Sequence, residues 1–185
     1  SADKLQNGDY DSIKVLIDKA MNAGQERNYG HNWKTDIEKR VTNNARDTVA
    51  TDWAVINQVT DGGLGAGELG VIVAPPGIGK SWALSSIGKA AIRNGKKVLH
   101  YTLELNDGYL GLRYDTMITG FEPKEIKNHI TEVKTAIQNI TGELILKYYP
   151  TRTASVLTFR AHIDRLKSTG FEPDLIIVDY ADLMR

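Results

Sequence analysis

Apolar residues in the second part of the chain alternate between short continuous runs and helical spacings. The runs predict strands near Leu69–Ala74, Lys97–Leu103, Leu144–Tyr149 and Asp174–Tyr180. Apolar positions three and four residues apart predict helices near Lys80–Asn94, Asn106–Met117, Pro123–Ile140 and Ser155–Ser168. In the third helix the apolar stripe is expected to be buried. This alternation predicts an α/β fold with a mainly parallel sheet flanked by helices.

The first 47 residues have a different pattern. They are more polar, with one amphipathic helix from about Asp11 to Ala23 and a weaker one from about Trp33 to Asn43. A single amphipathic helix cannot bury its apolar stripe alone, so it must pack on the main domain or on a neighbouring subunit. We therefore predict a helical linker over residues 1–47 and a core domain over residues 48–185.

The segment between the first predicted strand and the first core helix carries candidate phosphate-binding chemistry. It contains the residues Ala74, Pro75, Pro76, Gly77, Ile78, Gly79, Lys80, Ser81 and Trp82. Strand, glycine-containing loop ending in Gly-Lys-Ser and helix form the context of a P-loop (Walker A), whose N–H groups cradle phosphates. Lys80 would reach the β- and γ-phosphates, and Ser81 would bind Mg²⁺. Ala74 stands where the strict pattern has glycine; the alternative is a simple strand-to-helix turn.

Two carboxylates follow predicted strands and complete the candidate site. Asp179 ends the apolar run Leu175–Val178, where a P-loop enzyme places an acid that holds Mg²⁺. Glu104 follows another strand, and the carboxyl ends of parallel strands converge on one crevice. Glu104 is therefore a candidate to polarise the attacking water. The alternatives are a turn aspartate at Asp179 and a surface glutamate that begins the next helix.

The composition of the chain excludes several kinds of functional site and partner. The 185 residues carry zero formal net charge, so no global basic field recruits nucleic acid. The chain has no cysteine, which excludes disulfides and thiolate metal sites, and its four histidines show no metal-ligand spacing. No segment has the length of a membrane span and no signal peptide is visible, so a cytoplasmic location without membrane partners is expected.

Together these motifs resemble the RecA superfamily and, more narrowly, the DnaB-like replicative helicases. The resemblance runs from about Thr51 to Arg185 and is carried by Gly62-Gly63-Leu64, Gly67-Glu68-Leu69, the P-loop, Thr102-Leu103-Glu104-Leu105, Arg113 and Asp179-Tyr180-Ala181-Asp182-Leu183-Met184. It implies a RecA-like ATPase core that uses ATP and Mg²⁺, with Arg113 near the site; the alternative for Arg113 is a salt bridge on the helix surface. The helix at Asp11–Ala23 lies where the family has a linker helix.

The resemblance also implies a hexameric motor that hydrolyses ATP between subunits and moves along single-stranded DNA, with primase or a loader as further partners. The family's DNA-binding loops and arginine finger follow the Asp-Tyr strand, so the chain is expected to be a fragment truncated after the Walker B strand. Trp82 and the unusual N-terminal segment suggest a phage-type protein, acting in the host cytoplasm.

Three other function classes stay open at this point. A RecA- or KaiC-type ring or filament ATPase would hydrolyse ATP without unwinding. A small-molecule kinase would need an acceptor pocket and an arginine-rich lid, which we do not find in the sequence. A nucleotide-gated assembly module would bind ATP with negligible turnover.

Overall fold

The computed structural model describes residue 30, residues 32–38 and residues 46–185. By their internal contacts the residues fall into two units, Ser1–Ala45 and Arg46–Arg185. The helix predicted at Asp11–Ala23 lies outside the described residues, as do residues 39–43 of the second predicted helix. Within the described part of that second segment, residues 33–35 form a turn and residues 37 and 38 are helical. Asn32 Oδ1 accepts hydrogen bonds from the Lys34 and Thr35 N–H groups at 3.0 and 3.3 Å, which closes the turn.

Three parallel strands form the main sheet of the Arg46–Arg185 unit; they are β3 Lys97–Thr102, β4 Glu143–Tyr148 and β5 Leu175–Asp179. Their order across the sheet is β4-β3-β5. In register, Thr102 of β3 pairs with Tyr148 of β4 and with Asp179 of β5. The prediction of a parallel α/β sheet is therefore confirmed. A second, antiparallel pair joins β1 Thr48–Val49 to β2 Leu64–Gly65.

Five helices and two 3-10 turns complete the described part of this unit. The helices are α1 Ala54–Val59, α2 Lys80–Arg93, α3 Asp107–Thr119, α4 Ile130–Gln138 and α5 Val156–Ser168; the 3-10 turns are Ile126–Asn128 and Ala181–Leu183. Polar caps set two of the helix starts. Asn106 Oδ1 accepts the Tyr109 N–H at the start of α3, and Ser155 with Thr158 forms a capping box at the start of α5.

Successive residues of β3 belong to two different cores, because side chains alternate across a strand. Val98 packs with Ala91 and Ile92 of α2 and with Leu110 and Tyr114 of α3. Leu99, Tyr101 and Leu103 pack instead with Ala154, Phe159 and Phe171. We call the first set the helix-pair face and the second the aromatic face. Both faces of the sheet are covered, as a parallel sheet requires.

The strand predicted at Leu69–Ala74 is wrong. These residues form no strand, and three of their side chains, Leu69, Val71 and Val73, are 86%, 72% and 88% exposed. An apolar run becomes a strand only when a neighbour takes up its backbone hydrogen bonds, and no described residue pairs with this run. The strand-loop-helix context of the P-loop is therefore confirmed only on its helical side.

The single helix predicted at Pro123–Ile140 is also wrong. It divides into the 3-10 turn Ile126–Asn128 and α4, and the chain bends between them at His129, where φ is −122°. At this bend the His129 ring stacks on Phe121, with 4.2 Å between the ring centroids. The stripe predicted to be buried is only partly so: Ile126 and Val133 are buried, whereas Ile130 and Ile137 are 52% and 43% exposed.

Candidate functional site

The predicted P-loop, residues 74–81, which we call the phosphate loop, has backbone N–H groups that no described residue accepts. Gly77 and Gly79 have φ values of +81° and +103°, which turn the chain into the start of α2. In the described part of the chain, no group accepts a hydrogen bond from the N–H of Gly77, Ile78 or Gly79. A Cβ added at either glycine would meet no atom within 4 Å. Free N–H groups at the beginning of a 14-residue helix suit an anion, so the loop fits a phosphate group.

Lys80 lies at the first position of α2 and turns back towards the loop. Its Nζ donates a hydrogen bond to the Ala74 carbonyl at 2.9 Å. The same Nζ lies 5.6 Å from the centroid of the Tyr180 ring. Because Tyr180 follows the last residue of β5, this contact places the ammonium group beside the carboxyl end of that strand.

Asp179 is the last residue of β5 and is 2% exposed. Its carbonyl accepts the Leu103 N–H at 2.9 Å, which continues the pairing of β5 with β3 beyond Thr102. A buried carboxylate at a strand end can hold a divalent cation, since hard cations prefer oxygen ligands. In the described residues there is no cluster of three or more acidic, histidine or cysteine side chains that could hold a metal ion.

Glu104 lies two residues after the end of β3, in the turn that leads to α3. Thr102 holds this turn: its Oγ1 donates to the Leu105 carbonyl at 2.7 Å and accepts the Leu105 N–H at 3.1 Å. Glu104 itself is exposed. Since Thr102 pairs with Asp179, the Glu104 turn and the Asp179 carboxylate belong to the same edge of the sheet.

The structure thus brings three predicted residues to one end of the sheet. Lys80 reaches it from the phosphate loop, Asp179 ends β5 and Glu104 follows β3. Ser81 comes next to Lys80 in the first turn of α2, where its carbonyl accepts a hydrogen bond from Ser85 Oγ. An anion-binding loop, a lysine, a buried acid and an exposed acid are the groups that phosphoryl transfer to water requires.

The predicted residues Trp82 and Arg113 meet at the side of this site. The guanidinium carbon of Arg113 lies 5.1 Å from the centroid of the Trp82 ring. Arg113 belongs to α3, and Trp82 belongs to the first turn of α2. Sequence analysis named both residues without pairing them, because 31 positions separate them in the chain and neither spacing nor periodicity predicts such a contact.

A buried polar cluster below the site was missed by the sequence analysis. His100 Nδ1 and the Tyr114 hydroxyl are 2.8 Å apart, and both side chains are buried. Burial, with the Arg113 guanidinium nearby, lowers the pKa of His100 to about 3, so the imidazole is neutral. Gly88 of α2 lets the Tyr114 hydroxyl approach, since a Cβ at Gly88 would overlap that oxygen. A glycine inside a helical pattern was the available signal of close packing.

Comparison with known proteins identifies the family. The model of the DnaB-like helicase C-terminal domain matches residues 48–185. This chain belongs to that family. It is also 30% identical, over 189 aligned positions, to the DnaB-like replicative helicase of Enterobacteria phage T4. That alignment covers 96% of this chain and 40% of the phage protein, so the chain spans less than half the length of this relative.

Membership of a helicase family confirms the resemblance stated above and gives the P-loop an ATPase context in general terms. The parallel three-stranded sheet with flanking helices is consistent with a RecA-like core. In the part of the chain that the structure describes, no helix is both long enough and apolar enough to cross a membrane.

Proposed function

We propose that this chain is the ATP-hydrolysing motor domain of a hexameric replicative DNA helicase that translocates on single-stranded DNA. The observation that carries the proposal is the convergence of Lys80, Asp179 and Glu104 at one edge of the sheet, in a member of the DnaB-like helicase C-terminal domain family. The hexamer, the DNA strand and a primase or loader as further partners follow from the resemblance and belong to the complete protein.

Each residue of the site has a separate role in this proposal. The N–H groups of the loop from Ala74 to Ser81 bind the β- and γ-phosphates, and Lys80 exchanges the Ala74 carbonyl for phosphate oxygens. The Ser81 hydroxyl and the Asp179 carboxylate hold Mg²⁺, which would neutralise charge on the phosphates when bound. Glu104 orients a water and accepts its proton. An arginine from the neighbouring subunit would complete the site.

The test is ATP turnover by the complete protein, measured with and without single-stranded DNA. Stimulation by DNA is expected, because a translocating motor couples hydrolysis to strand movement. Glu104→Gln should reduce turnover by about 100- to 10,000-fold, the usual contribution of a positioned base, while ATP affinity stays within about twofold. Glu125→Gln is the matched control, since Glu125 is a partly exposed glutamate that accepts the Glu122 N–H and lies far from the P-loop along the chain.

Other outcomes would redirect the proposal. Turnover indifferent to DNA would favour a ring or filament ATPase, and nucleotide binding without turnover would favour an assembly module. Equal turnover in the Glu104→Gln and Glu125→Gln variants would remove Glu104 from the reaction. Transfer of phosphate to a small acceptor would make the protein a kinase.

A further inference from the structure

The contact between Trp82 and Arg113 joins the two segments that carry the proposed chemistry. Trp82 follows Ser81 directly, in the first turn of α2. Arg113 belongs to α3, which begins three residues after Glu104. A distance of 5.1 Å between the guanidinium carbon and the ring centroid is within the range of a cation–π contact. The phosphate loop and the Glu104 segment are therefore linked through side chains.

A role in stability alone does not explain why an arginine occupies position 113. Its Nη1 is buried and makes no hydrogen bond with any described residue. A buried donor without an acceptor opposes folding, and an apolar side chain of similar volume would fill the same space without that penalty. Together with burial, the Arg113 charge lowers the pKa of His100. Arg113 therefore lies near β3, the strand that leads to Glu104.

We propose that Arg113 is a positioning residue for the phosphate loop. Acting through Trp82, it holds the first turn of α2, and with it Lys80 and Ser81, in a defined place relative to Glu104. This inference rests on the proposed ATPase function and assigns Arg113 a part in it. Trp82 is 43% exposed and lies in the first turn of α2, directly after the loop, so its fluorescence is the signal that tests this inference.

The experiment uses the complete protein with Trp33, Trp53 and any tryptophan outside this chain replaced by phenylalanine, so that Trp82 alone fluoresces. A non-hydrolysable ATP analogue with Mg²⁺ is the probe. We expect binding to change Trp82 emission, and Arg113→Gln to remove most of that change. Arg113→Gln should also raise KM for ATP by about 3- to 30-fold, the effect of losing a partly desolvated cation–π contact. Arg113→Lys, which keeps a cation over the ring, should restore part of both.

Arg93→Gln is the matched control. Arg93 also joins α2 to α3, through a hydrogen bond from its Nη2 to the Ile118 carbonyl at 3.4 Å, but it does so at the opposite end of α2. KM and the Trp82 signal should stay within about twofold of the parent. An Arg113→Gln protein that melts earlier but keeps KM and the Trp82 signal would overturn the inference and leave the ATPase proposal standing. A parent protein that binds no nucleotide would overturn both.

Discussion

The two faces of the sheet differ in how they satisfy buried polar groups. On the aromatic face, Tyr101 stacks on Phe159 with 4.1 Å between ring centroids, and its hydroxyl lies 2.9 Å from His162 Nδ1. On the helix-pair face, by contrast, His100 Nε2, Arg113 Nη1 and Thr116 Oγ1 are buried and form no hydrogen bond with described residues. We therefore propose that the aromatic face contributes stability, whereas the helix-pair face, which carries α2 and α3, gives up stability to position the proposed site.

The largest expected effect tests the aromatic face. Phe159→Ala removes a ring that is 8% exposed and stacks on Tyr101, and should lower the free energy of unfolding by about 3–5 kcal/mol. Nucleotide affinity of the remaining folded protein should stay within about twofold, since Phe159 lies on the face away from α2. Denaturant unfolding and nucleotide titration measure the two quantities.

Phe121→Ala is the control for that variant, because Phe121 is only partly buried and stacks on His129 outside both cores. Phe121→Ala should lower the free energy of unfolding by less than half as much as Phe159→Ala does. A Phe159→Ala protein that folds stably but binds nucleotide poorly would show that the two faces do not divide stability from function as we infer.

The next effect is acid sensitivity of the helix-pair face. The pKa of His100 is lowered to about 3 in the folded chain, whereas an unfolded histidine titrates near 6.5. Below pH 6.5 the unfolded chain therefore binds a proton that the folded chain does not. The stabilisation that neutral His100 provides is fully present above pH 6.5 and is lost as the pH drops towards 3. The free energy of unfolding should fall by about 2 kcal/mol between pH 6.5 and 5.

His100→Gln isolates this contribution. The measurement is the slope of the unfolding free energy against pH from 5 to 7. This slope is proportional to the number of protons taken up on unfolding, which the variant should reduce by about one. The slope is informative even if the variant is less stable at neutral pH. His162→Gln is the comparison on the aromatic face: burial also lowers the pKa of His162, so its effect has the same sign. An unchanged slope in His100→Gln would mean that His100 is not the buried neutral group described here.

The sequence predicts those features of the molecule that depend on residues near one another in the chain. The strand β3 was predictable because its apolar run is buried on both sides, and β5 because its run is short, continuous and rich in β-branched residues, although Ile176 is 44% exposed. The placement of Asp179 and Glu104 at one end of the sheet was predictable because both follow apolar strand runs, whereas their roles and that of the P-loop stay predictions. The Leu69–Ala74 strand was predicted wrongly, since strand formation needs a pairing neighbour that no window of sequence contains. Likewise, the Trp82–Arg113 contact depends on how two helices pack, which periodicity does not specify.

A smaller effect concerns the close approach at Gly88. Gly88→Ala should lower the free energy of unfolding by about 1–2 kcal/mol, because the new Cβ overlaps the Tyr114 hydroxyl while alanine regains part of the cost as a better helix former. In a Tyr114→Phe background Gly88→Ala should cost less, since the overlapping oxygen is absent, even though that background loses the hydroxyl that pairs with His100. Additive losses in the double variant, measured by denaturant unfolding, would contradict the contact.

The smallest effect separates the two faces most sharply, because it compares two equivalent helix caps. Asn106 caps α3 on the helix-pair face and Ser155 caps α5 on the aromatic face. Replacing either by alanine should cost about 1 kcal/mol of unfolding free energy. Only Asn106→Ala should also reduce ATP turnover by about tenfold, because Asn106 begins the helix two residues after Glu104 and a small displacement there moves the proposed base. If Ser155→Ala slows turnover equally, catalysis depends on global stability, and the division between the two faces fails.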